Sequence, residues 1–291
     1  MKRVLCTGSS GFIGHHLIKE CVTRGWEVIG VDKRPVPPNH SYPHTFIQAD
    51  VNDLGYRDLM GVDYVFDLAF VTNIPNSVRH PKETTQQNID TTIHLMEVCR
   101  DAKVGKFLFP STASLYGHNP TPWTEDMPAD PIEPYSWQKL SLEYACKMYA
   151  NIYDLPTAVF RFFQVFGEFQ RDDTALAAFM KAKRERRAIT LTSTIAQSTF
   201  RSGQRDFIYA GDLAEAVCDV AESSYNKGEI FNIASGAVHT MEEIADTIGA
   251  EVVWIPRREY EIERHEADIS KIHSLGWKPK TDVLSWLKEN V

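Results

Sequence analysis

Val4-Leu5-Cys6-Thr7-Gly8-Ser9-Ser10-Gly11-Phe12-Ile13-Gly14-His15-His16-Leu17 is the stretch on which the fold turns. It opens with a short apolar run of strand type and closes by starting a pattern of apolar residues three and four apart, the mark of an amphipathic helix. Gly8, Gly11 and Gly14 fall between the two. Glycines at these places permit a tight turn, close approach of a pyrophosphate to backbone N–H groups, and close packing of helix on strand. Phe12 and Ile13 ride the first helical turn, whose unpaired donors and positive dipole end favour an anion. A glycine repeat alone is weak evidence. Its place after a strand and before an amphipathic helix favours a dinucleotide site.

Outward from this turn, residues 27–32, 64–69, 106–111 and 157–163 read as strands with few polar interruptions, as in a sheet covered on both faces. Residues 11–24, 81–101 and 135–153 read as helices. The alternation predicts an α/β fold, a Rossmann-type doubly wound parallel sheet. Asp32 closes the second strand, where a carboxylate accepts hydrogen bonds from ribose hydroxyls and repels a 2′-phosphate, so NAD is favoured over NADP. Lys33 and Arg34 read either as phosphate contacts or, better, as solvated charges. Asp50 and Val51 read as an adenine contact or as a plain strand-to-turn transition. Leu68 and Ala69, at the end of the run at 64–69, are placed on the cofactor.

Beyond residue 167 the pattern weakens. Residues 175–187, 241–248 and 283–289 look helical, residues 230–234 give a last strand signal, and 190–204 is a polar stretch read as a substrate loop. The expected division is a dinucleotide domain of 1–166 plus about 206–238, and a smaller, discontinuous substrate domain of about 167–205 plus 239–291. The chain has 291 residues with 31 basic against 39 acidic side chains, a net charge of −8. That is the wrong sign for a nucleic-acid or anionic-membrane surface, and the run 181–187 reads as a solvated helix face. The five cysteines show neither a CxxC pair nor zinc spacing, so buried free thiols, a reducing compartment and no metal are expected. No signal-peptide core or membrane span is apparent, and a cytoplasmic location is expected. His15 and His16 diverge by about 100° on a helix and read as one packed and one exposed. His40 and His44 read as solvated.

Tyr135-Ser136-Trp137-Gln138-Lys139 sets a phenol and an ammonium four residues apart, on one helical face. For a tyrosine to ionise near pH 7, about 4 kcal/mol of differential stabilisation is needed. One cation roughly 4.5 Å away at an effective dielectric near 20 supplies about 3.5 to 4 kcal/mol. Ser111-Thr112-Ala113-Ser114 lies at the carboxyl end of a predicted strand, where ligands of open α/β sheets bind. The Thr112 hydroxyl can bridge a substrate oxygen and the tyrosine, with Ser114 as the fallback.

GSSGFIG, Asp32, STASLYG, PYSWQK, FRFFQVFG and GQRDFIYAGD together resemble the extended short-chain dehydrogenases, the nucleotide-sugar epimerase/dehydratase family. The likeness runs from residue 2 to about residue 281. It implies a bound NAD, a Tyr135/Lys139/Thr112 catalytic set, a nucleotide-diphosphate sugar as substrate and a homodimer through the helices at 81–101 and 135–153. In the family's dehydratases and decarboxylases, acidic residues follow the catalytic threonine, whereas Ala113 and Ser114 stand here. Its 3,5-epimerases have cysteine at the place of Ser114. What remains is 4-epimerisation by hydride transfer and return. A keto-sugar or carbonyl reductase is the alternative, and a non-catalytic dinucleotide-binding regulator is the reading from another class. The resemblance places Arg205 and Arg258 on the substrate diphosphate, with Arg201 a weaker neighbour. For each arginine a surface salt bridge is the competing description. Gln164 stands where the family has a phosphate-contacting asparagine, and Phe70 replaces a small residue beside the cofactor. Val71, Thr72 and the residues to Asn76 are placed along the sugar pocket. Asn88 reads as a support for the site or as a satisfied buried amide.

Overall fold

The strand runs assemble into one parallel sheet because their side chains are apolar on both faces, and each face is covered by helices. The computed structural model describes residues 1–40, 45–172, 174–194, 198–257 and 261–291. Its strands are β1 (Arg3–Thr7), β2 (Glu27–Asp32), β3 (Thr45–Gln48), β4 (Tyr64–Asp67), β5 (Lys106–Thr112), β6 (Thr157–Phe162), β7 (Gln164–Phe166), β8 (Ile189–Thr192), β9 (Gln204–Tyr209), β10 (Lys227–Ile233), β11 (Val238–Thr240) and β12 (Val252–Ile255). The helices are α1 (Phe12–Thr23), α2 (Ile74–Arg79), α3 (Pro81–Ala102), α4 (Pro134–Ile152), α5 (Ala175–Arg184), α6 (Ala210–Glu222), α7 (Met241–Ile248), α8 (Ser270–His273) and α9 (Val283–Asn290).

Among the described residues the main sheet runs β10-β6-β5-β4-β1-β2-β3, parallel throughout. The order reverses between β1 and β4, and a doubly wound sheet opens a ligand crevice at that point, beyond the carboxyl ends of its strands. One face carries a core of Leu17, Phe66, Phe160, Leu213 and Val217 beneath α1 and α6. The other carries Leu95, Met96, Phe107, Phe109 and Leu142 beneath α3 and α4. A third cluster, built from Phe166, Phe179, Leu191, Phe207, Ile244 and Leu287, joins α5, α7 and α9 to the short strands.

Several elements depart from the sequence reading. The polar stretch at 190–204 begins inside β8, which pairs with the distant β12, and ends at the first residue of β9; residues 195–197 lie outside the described chain. Helix α6 was not read from the sequence, although it is amphipathic: Ala210, Leu213, Ala214, Ala216, Val217, Cys218, Val220 and Ala221 are buried, and Glu215, Asp219 and Glu222 mark the outer face at three- and four-residue spacing. His15 and His16 are both buried: His16 Nε2 bonds the Glu168 carbonyl at 3.0 Å, and Phe169 covers His15 at 4.2 Å between ring centroids. His40 is half-buried rather than solvated, its ring 4.2 Å from that of His15. His44 lies outside the described residues. All five cysteines are free and buried.

Candidate active site

The glycine turn sits at the switch point. Gly8 adopts φ +62°, and a Cβ there would lie 2.6 Å from the Leu68 carbonyl oxygen; one on Gly14 would lie 2.5 Å from the Gly8 carbonyl. Both positions therefore exclude a side chain, and the backbone of Leu68 and Ala69 closes on the turn. Thr7 stitches the two strands, donating its hydroxyl to Asp67 at 2.9 Å and accepting from the Ala69 amide at 3.1 Å. Helix α1 has no side-chain cap and no acidic residue in its first turn. The buried Ser9 Oγ has no hydrogen-bond partner among the described residues. A dinucleotide pyrophosphate fits this terminus, being the anion its open donors favour.

Asp32 accepts from the Ser10 amide at 3.1 Å and the Arg34 amide at 2.9 Å, with the Arg34 guanidinium 3.4 Å away. Lys33 pairs with Asp50 at 2.6 Å and holds that carboxyl below its usual range. Both cations thus face carboxylates of this chain. Asp50 also accepts from the Asn52 amide at 2.9 Å, capping the short turn that buries Val51. Phe12 and Ile13 open α1, with Ile13 packed into the core.

At the carboxyl end of β5, the Thr112 hydroxyl lies 3.2 Å from Ser114 Oγ and acts on the Tyr135 phenol, favouring loss of its proton. Glu133 caps α4, accepting from the Tyr135 amide at 2.7 Å and the Ser136 amide at 3.0 Å. Pro134 at the first helical position completes that start. Tyr135 and Lys139 occupy i and i+4, yet no hydrogen bond joins them among the described residues. The Lys139 ammonium donates to the Pro110 carbonyl at 2.6 Å and lies 3.4 Å from the centroid of the Phe70 ring. Burial lowers the Lys139 pKa to about 7 and raises that of Tyr135, against the pull of Thr112 and Arg171. This corrects the expectation that one ammonium brings the phenol into the neutral range, since desolvation penalises both charged forms.

A stability test follows from Lys139. Between its folded pKa of about 7 and an unfolded value of about 10.4, the unfolded chain binds the extra proton, so stability rises with pH across that window. Denaturant melts of NAD-free protein from pH 6 to 9 are expected to show Lys139→Met with a flatter profile than the wild type. Parallel profiles would refute the buried-ammonium assignment.

The loop at 70–73 is anchored by Asn88, which accepts from the Val71 amide at 2.9 Å and donates to the Val71 carbonyl at 3.2 Å and to Gln138 at 2.8 Å. It is at once satisfied and supportive. Thr72 accepts from Arg171 Nη1 at 2.6 Å; this arginine, carried by the loop after β7, was missed in the sequence because only folding brings it across the cleft. Gln164 is half-buried on β7, in register with Phe207 of β9. Arg205, also on β9, bonds the carbonyls of Gln204 at 2.7 Å and Glu263 at 3.0 Å, and burial lowers its pKa to about 10. No carboxylate pairs with it among the described residues. Arg201 is a surface residue paired with Glu242 at 2.9 Å. Arg258 lies outside the described residues. Two further groups carried too little sequence signal to be found: the buried Asp67, and the Glu143–Arg161 ion pair, 2.8 Å, beneath Ser111.

A parallel sheet with a glycine turn at its switch point and a Tyr–Lys pair on a flanking helix is that of an extended short-chain dehydrogenase/reductase. More narrowly, the chain belongs to the NAD dependent epimerase/dehydratase family, whose model matches residues 4–234. The putative UDP-glucose 4-epimerase of Methanocaldococcus jannaschii is 30% identical over 312 residues, covering 99% of each chain. Among solved structures, the UDP-N-acetylglucosamine 4-epimerase of Methanobrevibacter ruminantium, in complex with UDP-N-acetylmuramic acid, superposes with a TM-score of 0.89 at 30% identity, covering 99% of this chain and 96% of that one. The UDP-glucose 4-epimerase of Thermus thermophilus, in complex with NAD, gives 0.88 at 27% identity and covers 98% and 96%. The chain is thus an NAD-dependent enzyme of sugar-nucleotide epimerase/dehydratase type. No helix among the described residues is long and apolar enough to cross a membrane.

Proposed function

We propose that the chain is a nucleotide-sugar 4-epimerase. The observation that carries this reading is that Thr112 acts on the Tyr135 phenol, favouring loss of its proton, with no free carboxylate beside it among the described residues: Ala113 and Ser114 follow Thr112, and Glu133 is held by backbone amides. Removing water from a sugar needs an acid and a base beyond Tyr135, whereas passing hydride out and back needs neither. NAD, when bound, would supply the hydride acceptor and donor; Gly8, Gly11, Phe12, Ile13 and Gly14 would hold its phosphates, Asp32 its ribose, Lys33, Asp50 and Val51 its adenosine, and Leu68, Ala69, Tyr135 and Lys139 the remainder along the cleft. Tyr135 removes the proton from the sugar C4 hydroxyl and returns it after the keto sugar has turned. Thr112 orients that hydroxyl. Val71, Thr72, Ser114 and Gln164 line the sugar pocket, and Arg205 and Arg258 bind the diphosphate, with the substrate domain formed by 167–205 plus 239–291.

A panel of nucleotide sugars, incubated with the protein without added NAD, is expected to yield a C4 stereoisomer and no net NADH. Consumption of added cofactor in proportion to product would select the reductase instead. The homodimer is proposed through α3 and α4; on the outer face of α4, Trp137, Tyr144, Met148 and Ile152 stand exposed at helical spacing. A monomeric mass at micromolar concentration counts against it.

A further inference from the structure

We propose that Phe70 is a displaceable ring that lies over Lys139 and sets how readily the dinucleotide is taken up. The Lys139 side chain is 2% exposed. Its ammonium has three donors, of which one is met, by the Pro110 carbonyl at 2.6 Å. The other sides of the group face aromatic rings, with Phe109 at 4.6 Å and Phe70 at 3.4 Å from the nitrogen to the ring centroid. An aromatic face attracts a desolvated cation, but it does not replace the hydrogen bonds that a hydroxyl-bearing ligand offers.

The two rings are not equivalent. Phe109 is fully buried within β5 and fixed by the core. Phe70 is half-buried in the irregular segment between β4 and α2, at the open carboxyl edge of the sheet. Its following residue is anchored through the Asn88 hydrogen bonds to Val71, and the ring is only partly buried against the core that fixes Phe109, so the movement proposed is of the side chain and not of the backbone. The same ring stands edge-on to Tyr135, with centroids 5.9 Å apart and planes at 75°. One side chain therefore lies against both the phenol and the ammonium, and a ligand that reaches Lys139 from the cleft meets this ring first. Uptake then requires the population with the ring turned aside, and apparent affinity falls by the fraction so turned.

The inference rests on the NAD dependence of the chain and not on which reaction follows, so it is tested by binding alone. Equilibrium dialysis of the full chain, first stripped of retained cofactor and refolded, against labelled NAD is the measurement, with Phe70→Ala and Phe70→Leu as variants and thermal melts as the check on folding. Phe70→Ala is expected to bind NAD about tenfold more tightly than the wild type, because the competing closed population is gone. Phe70→Leu, which keeps apolar bulk without a π face, is expected to fall between. The gain should appear in the association rate measured by stopped flow, with dissociation little changed. Weaker or unchanged binding in Phe70→Ala overturns the proposal, since it would mean that the ring packs against bound cofactor or does not obstruct it. If Phe70→Ala fails to melt cooperatively, the sign of the change in Phe70→Leu decides in the same way.

Discussion

Replacing Tyr135 by phenylalanine is expected to lower the isomerisation rate by about a thousandfold while leaving NAD binding and the melting temperature close to those of the wild type. The size follows from what the hydroxyl does. A positioned acid–base group contributes about 10²- to 10⁴-fold, and here Thr112 acts on its hydroxyl, favouring loss of the proton. The ring remains to pack against Phe70, so the fold has little reason to respond. Burial holds the phenol proton tightly, and Thr112 and Arg171 act against it. The wild-type rate is therefore expected to climb with pH as more phenolate forms, and the variant should lose that climb. Arg171→Ala removes one of the two opposing influences and is expected to move the climb to higher pH. Stereoisomer formation by NMR across a pH series reads both effects. A Tyr135→Phe variant within about tenfold of the wild type would remove the phenol from the chemistry.

The difference between what was legible and what was not follows from range along the chain. The turn from β1 to α1 was readable because strand, glycines and helix are contiguous, and each glycine answers to a backbone atom close by: Gly14 to the Gly8 carbonyl, Gly8 to that of Leu68. The Tyr135–Lys139 spacing was readable for the same reason. Its electrostatics were not. The i, i+4 rule puts two side chains on one face, but it carries no information on the desolvation that disfavours both charged forms, nor on the Phe70 ring that comes from beyond a strand end far away in sequence. Strands β8 and β12 were missed because each is only four residues long and is stabilised by the other, far along the chain. Asp67 illustrates the limit most plainly. As a letter it is an ordinary acidic strand end, whereas in the fold it is a buried carboxyl held by Thr7 and Thr92 at 2.9 and 3.0 Å, close enough to support the charge on Lys139.

Glu143→Gln is expected to cost about 3–5 kcal/mol of stability, which corresponds to a fall in melting temperature of roughly 10 °C in a chain of this size. Arg161 lies on β6 and Glu143 on α4, and both side chains are 4% exposed. They meet through two hydrogen bonds, Nε to Oε1 at 3.1 Å and Nη2 to Oε2 at 2.8 Å. The amide is nearly isosteric, so packing is preserved and the loss reports the guanidinium left buried without a counterion. The pair also reaches the chemistry, because Glu143 accepts from Ser111 Oγ at 2.5 Å, one residue before Thr112. A stable but slower enzyme would place the pair's role in positioning β5, and a melting temperature within about 2 °C of the wild type would refute the stability assignment outright. Replacing both partners at once, Glu143→Leu with Arg161→Met, separates the two contributions: an apolar pair of similar volume leaves no uncompensated charge and is expected to regain most of the lost stability. Activity should not return with it, since neither side chain can then hold Ser111.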